Sequence, residues 1–445
     1  MTRVVVMAAK DFRVIIVGGG PVGLLSALAL RSAGIEFVIL EQRRDIVVDC
    51  GAALSLNSAS LRIFHQLGLL EKALSIGCEL HRRSTFTLEG HLFDSQALAY
   101  MKKNHGVSLY CYHRAELLQL LYEALSEDHN KILTGKKLES FESDKNGVRV
   151  ACADGTSYSG SMILGVDGVH SRTRVLMRTL ALDTDSGFQW TKELPFPTKY
   201  KSVIFKTPSF SPEGWFIDTQ GDGRCLFYAT GRDCAWVFLC ETLQEQTTDR
   251  STDAAEDIAT FVSHFAEFPL TGEVKVKDVL SEATGSTMIN LEEGVASQWS
   301  WGRVVLAGDA CHKFTPHGGL GFNSGVQDAA ALVNELRRAL DNCPEGSSIT
   351  SEQLSAAFQA YQGRRLPSAT VDFWVSAGIA RLQSWATRLY YLTARYILPM
   401  WIWDNVLYNY FAPLGVKHGE VLKHIMTAEE PFNGAVEWAN RMSGI

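Results

Sequence analysis

The sequence predicts an α/β fold. A parallel sheet carries helices on its faces, an antiparallel β-sheet is inserted into it, and a helical extension follows at the C-terminus. Three observations predict it. Residues 14–41 read strand, glycine-rich turn, helix, strand, acid. Residues 303–341 read strand, glycine-rich loop, long helix. Residues 200–240 and 275–290 alternate apolar and polar in strand fashion (YKSVIFKT, RCLFYAT, AWVFLCE, KVKDVL). In the first stretch, Val14–Val17 form an apolar β-branched run suited to a strand buried on both faces. Gly18, Gly20 and Gly23 then fill a G-x-G-x-x-G pattern, the helical run Leu24–Leu30 follows, and the second strand Phe37–Leu40 ends in Glu41. Gly18 permits the tight turn, Gly20 lets a pyrophosphate approach the backbone, and Gly23 lets helix and strand pack closely. The helix N-terminus offers N–H groups and partial positive charge to that pyrophosphate, and Glu41 is placed to accept from a ribose hydroxyl. A Rossmann-like, adenine-dinucleotide-binding domain is the expectation.

Bulk properties narrow the class. The 445 residues suffice for two or three domains, and 46% hydrophobic content supplies a sizeable core. A net charge of −7 gives no basis for binding nucleic acid. Nine scattered cysteines include no C-x-x-C pair; the odd number in a long chain reads as intracellular, in a reducing compartment, and not as a disulfide framework. The opening MTRVVVMAAK is too short for a secretory signal, since the first core strand follows at once. The sequence specifies no oligomeric state.

Three further segments bear on the cofactor. Residues 112–126 form an amphipathic helix with leucines at 117, 118, 121 and 125, and His113 and Arg114 stand at its start. An exposed arginine in a first turn opposes the helix dipole at a cost of about 0.3–1 kcal/mol. A phosphate or flavin partner would explain it, as would a salt bridge. Residues 161–174 give a short strand ending in Asp167-Gly168, which also reads as a plain turn. In residues 303–341, strand Val304–Ala307 exits through Gly308-Asp309, and the Pro316–Gly321 loop opens a helix with apolar residues at 326, 329, 330, 333, 336 and 340. Such a helix N-terminus can stabilise negative charge on a reduced flavin ring.

In this order and separation, the motifs resemble the FAD-dependent monooxygenases of the para-hydroxybenzoate hydroxylase type over about residues 12 to 370. The segments carrying the resemblance are the glycine fingerprint with Glu41, the Arg114 helix start, VDGVHSRTR with Asp167, and GDACHKFTPHGGLGFNSGVQDA with Asp309. Within that group the EQRRDI continuation, the DACHKFTP wording and the aromatic tail resemble the fungal indole-diterpene and meroterpenoid epoxidases. The resemblance implies that Glu41 binds the adenosine ribose, Arg114 the FAD, and Asp309 the ribityl and pyrophosphate region. It implies further that Asp167 lies in a segment contacting FAD and NAD(P)H, and that the loop residues Gly319, Gly321 and Phe322 lie against the flavin. Two departures stand out: Phe322 where relatives carry alanine, and GAALS at Gly51–Ser55 where they read G-A-S-I-G. The expected division is a discontinuous FAD-binding domain in three parts (10–80, 111–180, 299–370), a substrate domain (81–110 and the β-sheet 181–298), and an aromatic helical extension (371–445).

One dinucleotide fingerprint is present; Gly221 and Gly223 lie in a hairpin with no helix behind them. NAD(P)H is therefore expected as a transient visitor that reduces the flavin, after which one atom of O2 passes to the substrate. Ten tryptophans and 22 phenylalanines suit a hydrophobic small molecule, and the expected reaction is epoxidation of a prenylated natural-product intermediate. Aromatic-ring hydroxylation on the same scaffold, an FAD dehydrogenase without oxygen insertion, and a binding protein reusing the fold are the rivals. Candidate catalytic side chains are Tyr228, which reads equally as structural, and Asp49; Lys201 could add positive charge or stand exposed at a sheet edge. His312 and His317 flank the loop without a metal-ligand partner at recognisable sequence spacing, so no metal is expected. In the tail, Arg381, Arg388 and Arg395 recur every seven residues opposite an aromatic face. The tail is too interrupted to span a bilayer, which leaves two readings: an amphipathic helix on a membrane surface, or one packed on the protein or a second copy.

Overall fold

A computed structural model describes residues 12–49, 53–184, 190, 195–248, 255–344, 348–426 and 429–442. The opening MTRVVVMAAK and the Gly51-Ala52 part of the GAALS segment lie outside the described residues. The first sheet has six strands in the order Ser300–Trp301, Val304–Leu306, Met162–Gly165, Arg13–Val17, Glu36–Leu40, Ile132–Leu133. All pairs are parallel except that of the edge strand Ser300–Trp301. Val14, Ile15 and Ile16 are wholly buried, as a central strand covered on both faces requires. Helix Pro21–Ser32 packs against helix Gly321–Asp341 and against Arg114–Glu123. That last helix begins two residues later than expected, because Tyr110–His113 pairs as a strand with Ala53–Leu56.

The second sheet has seven strands: Thr284–Glu292, Thr198–Thr207, Ala235–Thr247, Arg224–Thr230, Trp215–Gln220, Arg82–Thr87, Leu92–Ser95. It is mixed and not purely antiparallel, since Trp215–Gln220 and Arg82–Thr87 run parallel. Residues 275–280 do not join it. The Lys275 N–H bonds the Asp278 carboxylate at 2.9 Å, and Val276–Val279 turns as a helix, a local side-chain cap winning over strand-like alternation. Both faces of the sheet are covered. Leu226 and Tyr228 pack outward with Phe261, Phe265 and Val276; Cys225, Phe227 and Ala229 face the other way.

Helix Ser351–Gln383 is 33 residues long, about 50 Å, and runs unbroken through the boundary expected at 370/371. It is started by Thr350 and Gln353, whose side chains bond each other's backbone N–H groups. Trp385, at φ 47°, breaks the chain direction before the short turns Arg388–Leu392 and Thr393–Ile397. The arginine heptad therefore does not share one helical face: Arg381 pairs with Glu293 at 2.7 Å and Arg395 with Glu89 at 3.6 Å. No helix among the described residues is long and apolar enough to cross a membrane. Several large apolar side chains of the extension nonetheless stand exposed, among them Trp374, Leu389, Tyr410 and Phe411.

One buried carboxylate ties these layers together. Asp328 accepts from the Gly308 N–H at 2.9 Å, from His312 Nε2 at 2.6 Å and from Arg365 Nε at 2.8 Å; Asp328 and His312 are wholly buried. Burial works against its charge, but His312 and Arg365 outweigh it and hold the carboxyl down at about 2. A lowered folded pKa gives stability that is complete above the unfolded value of about 3.9 and is lost as pH falls towards 2. Asp328→Asn, which leaves Arg365 unpaired in the interior, should cost about 3–5 kcal/mol near neutral pH. Thermal unfolding should show this gap closing between about pH 4 and pH 2; a gap constant across that window would overturn the assignment.

Candidate active site

The two sheets enclose a cavity of about 2030 Å³, larger than a single small-molecule pocket of roughly 300–1,000 Å³ and roomy enough for a dinucleotide beside a second molecule. At one end lie Gly18–Val22, Glu41, Arg43 and Arg114, and across the middle run Asp309 and Lys313–Ser324. The first turn is built by backbone geometry. Gly18 has φ +114°, and a Cβ on Gly23 would stand 2.0 Å from the Gly18 carbonyl oxygen; at Gly20 a Cβ would meet nothing within 4 Å. The N-terminal residues of helices Pro21–Ser32 and Gly321–Asp341 both line the cavity, and neither end is capped by a side chain. Two sets of N–H donors and two positive dipole ends thus face one space.

Glu41 is held by backbone: its carboxylate accepts from the Gly19 N–H at 2.6 Å and the Arg43 N–H at 2.9 Å. Arg114 starts its helix and lines the cavity. Asp309 also lines it and pairs with Lys313 Nζ at 2.5 Å. Burial works against the lysine's charge, but Asp309 prevails and raises its pKa. Asp167 turns most of its bonding inward: it accepts from the Ser171 hydroxyl at 2.5 Å and from the Thr173 N–H at 2.9 Å, fixing the start of helix Arg172–Thr184. Burial raises its pKa against these bonds. In the loop, Gly319 has φ +62° and its would-be Cβ meets Ser55 Oγ at 2.4 Å. At Gly321 a Cβ would stand 3.9 Å from Asp309 Oδ1, and Phe322 is buried in the core beside the cavity.

Other expectations are corrected. Tyr228 is wholly buried on the outer face of its sheet, where its hydroxyl accepts from the Phe210 N–H at 2.7 Å. Its neighbours Phe227 and Ala229 line the cavity instead. Side chains alternate along a strand, so a one-residue difference in parity selects the opposite face. Lys201 shares the parity of Val203 and Phe205 on that outer side. Asp49 is half-exposed, bonds His113 Nε2 at 3.0 Å and lies 3.7 Å from Lys206 Nζ, away from the cavity lining. The two histidines do have neighbours that sequence spacing did not reveal: His312 lies with Cys311 and Asp328, and His317 with Cys225 and Cys240. Cys225 and Cys240 are paired across adjacent strands, and Cys225 Sγ lies 3.4 Å from His317 Nε2. Burial pushes the Cys240 thiol up, but hydrogen bonds with Cys225 and His317 outweigh it and lower its pKa below the usual thiol range.

Three residues not anticipated shape the cavity. Asn323 Nδ2 donates to the carbonyls of Ser55 and Gly319 at 2.9 and 2.7 Å, while its Oδ1 accepts from the Asn57 N–H at 3.0 Å. It fastens the loop to the strand after the first acid; the only sequence sign was an asparagine just inside a helix start. Asp372, on the long helix, lines the cavity with a carboxyl that burial raises while Arg365 opposes. Arg83 reaches the cavity from the second sheet.

Comparison with known proteins agrees with this geometry. Residues 11–346 match the FAD binding domain family. The FAD-dependent monooxygenase spyC of Aspergillus fumigatus is 31% identical over 405 residues, covering 88% of this chain and 84% of that protein. The FAD-dependent monooxygenase olcE of Penicillium canescens is 30% identical over 399 residues, covering 88% and 86%. In fold, the chain is similar to Klebsiella pneumoniae HpxO complexed with FAD and uric acid (TM-score 0.66, 20% identity, 91% and 95% coverage). It is also similar to the tetracycline destructase Tet(51) (TM-score 0.64, 17% identity, 90% and 98% coverage). The chain belongs to the FAD-binding-domain family and is an FAD-dependent monooxygenase.

Proposed function

We propose that this enzyme uses NAD(P)H to reduce its FAD and inserts one oxygen atom of O2 into a hydrophobic, prenylated intermediate of fungal secondary metabolism, by alkene epoxidation. The observation that carries the reading is the continuity of an apolar chamber with the cofactor cleft. Leu98, Met101, Phe216, Phe227, Phe238 and Leu407 wall one end of the same cavity whose other end carries the glycine turn.

The residues present fit FAD. The uncapped N–H groups of Gly20 and Val22 suit its pyrophosphate, Glu41 an adenosine ribose hydroxyl, and Arg114 and Asp309 its charged and ribityl regions, with Asp167 setting the wall between them. Gly319, Gly321 and Phe322 line the cavity where they would offer backbone to the flavin, and the dipole of helix Gly321–Asp341 would favour negative charge there. Bound FAD supplies the oxygen-activating redox chemistry. The protein holds the alkene beside the ring and keeps water from the reacting atoms, which is the work of the apolar walls. The sequence carries one dinucleotide fingerprint, so NAD(P)H visits and leaves. The exposed Trp374, Leu389, Tyr410 and Phe411 are further proposed to rest on a membrane surface from which a lipophilic substrate is drawn.

Asp309→Ala and Arg114→Ala should each weaken FAD binding about tenfold, the worth of one lost charge-assisted contact. The check is flavin per polypeptide after gel filtration; if both variants keep the parent's flavin, the cofactor placement is wrong. With NADPH, labelled O2 and a prenylated phenol or indole, the product should carry one labelled oxygen in an epoxide. A ring-hydroxylated product with its alkene intact would overturn the epoxidase reading. For the membrane contact, the holoenzyme should float with anionic vesicles, and Leu389→Asp together with Phe411→Asp should abolish flotation. Parent protein left at the bottom of the gradient would refute it.

A further inference from the structure

Within the apolar part of the chamber stands a polar pair contributed by two distant parts of the chain. Arg83, on strand Arg82–Thr87, and Tyr408, in the segment Val406–Phe411 of the extension, both line the cavity. They meet there, Arg83 Nη1 donating to the Tyr408 hydroxyl at 3.3 Å. The guanidinium is fixed from behind. Its Nε and Nη2 donate to Asp218 Oδ1 at 3.2 and 3.1 Å, and Thr85 Oγ1 donates to the same oxygen at 3.1 Å. Asp218 is wholly buried. Tyr408 is fixed as well, since Asn104 Nδ2 donates to its carbonyl at 3.1 Å.

Two consequences follow from this wiring. Because Asp218 compensates the Arg83 charge, the pair presents no net charge to the chamber, and a carboxylate would enter uncompensated. Because the Tyr408 oxygen accepts from Arg83, its own proton points to another acceptor, and no protein group among the described residues takes it. Once an apolar ligand has displaced water, an unmade O–H bond costs about 1–3 kcal/mol. The missing acceptor must come with the ligand.

We propose that Tyr408, polarised and oriented by Arg83, is the polar subsite of the substrate chamber, donating to a neutral acceptor oxygen at one end of a terpenoid substrate. The proposal deepens the lipophilic-substrate reading above and rests on it. An oxygen anchored at Tyr408 sets how far along the chain the alkene presented to the flavin loop lies. The pair is thus a determinant of the position oxidised as well as of affinity.

The test titrates micellar farnesylacetone, and the hydrocarbon of the same skeleton lacking the oxygen, into the FAD-loaded enzyme while following the visible flavin spectrum. The parent should bind the ketone about tenfold more tightly than the hydrocarbon, the worth of one hydrogen bond. Tyr408→Phe should bring the two affinities together. A purely structural role would weaken both ligands alike and keep their ratio, which would overturn the subsite. Asp218→Asn provides an independent arm: with Arg83 uncompensated, farnesoic acid should gain on the ketone by about tenfold, and an unchanged preference would count against the proposal. If both ligands perturb the parent flavin equally, the subsite falls while the lipophilic chamber stands. If neither perturbs it, the lipophilic-substrate reading falls and takes the subsite with it.

Discussion

The glycine-loop side of the cavity hangs from the Asp328 carboxylate. It lies inside helix Gly321–Asp341, yet its three partners belong to three other pieces: the Gly308 turn that leads into Asp309, the short strand bearing His312, and the long helix bearing Arg365. Arg365 also reaches the Ser324 hydroxyl at 2.8 Å, and Tyr361, one turn earlier, donates to the Leu306 carbonyl at 3.1 Å. A buried charge of this kind is tolerated only when fully bonded, so the network admits few arrangements. Its geometry places the strand exit, the glycine loop and the helix N-terminus in one fixed relation.

The two ends of the cavity are made by different physics. At the cofactor end the chain exposes backbone: glycine turns and uncapped helix starts, with carboxylates held by N–H groups. At the substrate end it exposes side chains, and these are mostly aromatic and aliphatic. The loop from Pro316 to Gly321 separates the two, braced by Asn323 towards Ser55 and by His317 towards Cys225. That second brace touches a thiol pair buried in the second sheet, so the loop is gripped at once from that sheet and from the strand Ala53–Leu56.

The cofactor end was legible in the sequence because backbone requirements restrict residue type. Only glycine satisfies the φ at Gly18 and the contact at Gly23, and such residues occur at fixed spacing. The substrate end was not. Strand alternation showed that Phe227 and Tyr228 face opposite ways, but both faces of the sheet are buried, so hydrophobicity could not say which face was inward. A strand-like pattern at 275–280 gave way to one cap bond at Asp278, and a seven-residue arginine repeat lost its meaning where Trp385 turns the chain. Asp328 and Asn323 looked like ordinary polar residues of a helix; their importance lies in partners that only the fold brings near.

The chamber wall is assembled from three separate stretches of sequence: the helix carrying Leu98 and Met101, the consecutive strands carrying Phe216, Phe227 and Phe238, and the extension carrying Leu407. The glycine turns and their acids lie elsewhere in the chain. Substitutions that reshape the wall can therefore accumulate without disturbing the cofactor, which favours divergence of substrate choice among descendants of one scaffold. The same scattering defeats transplantation. A contiguous block exchanged between two such enzymes would carry only part of a wall, and a productive chimera must exchange the strand near 83 and the extension near 408 together.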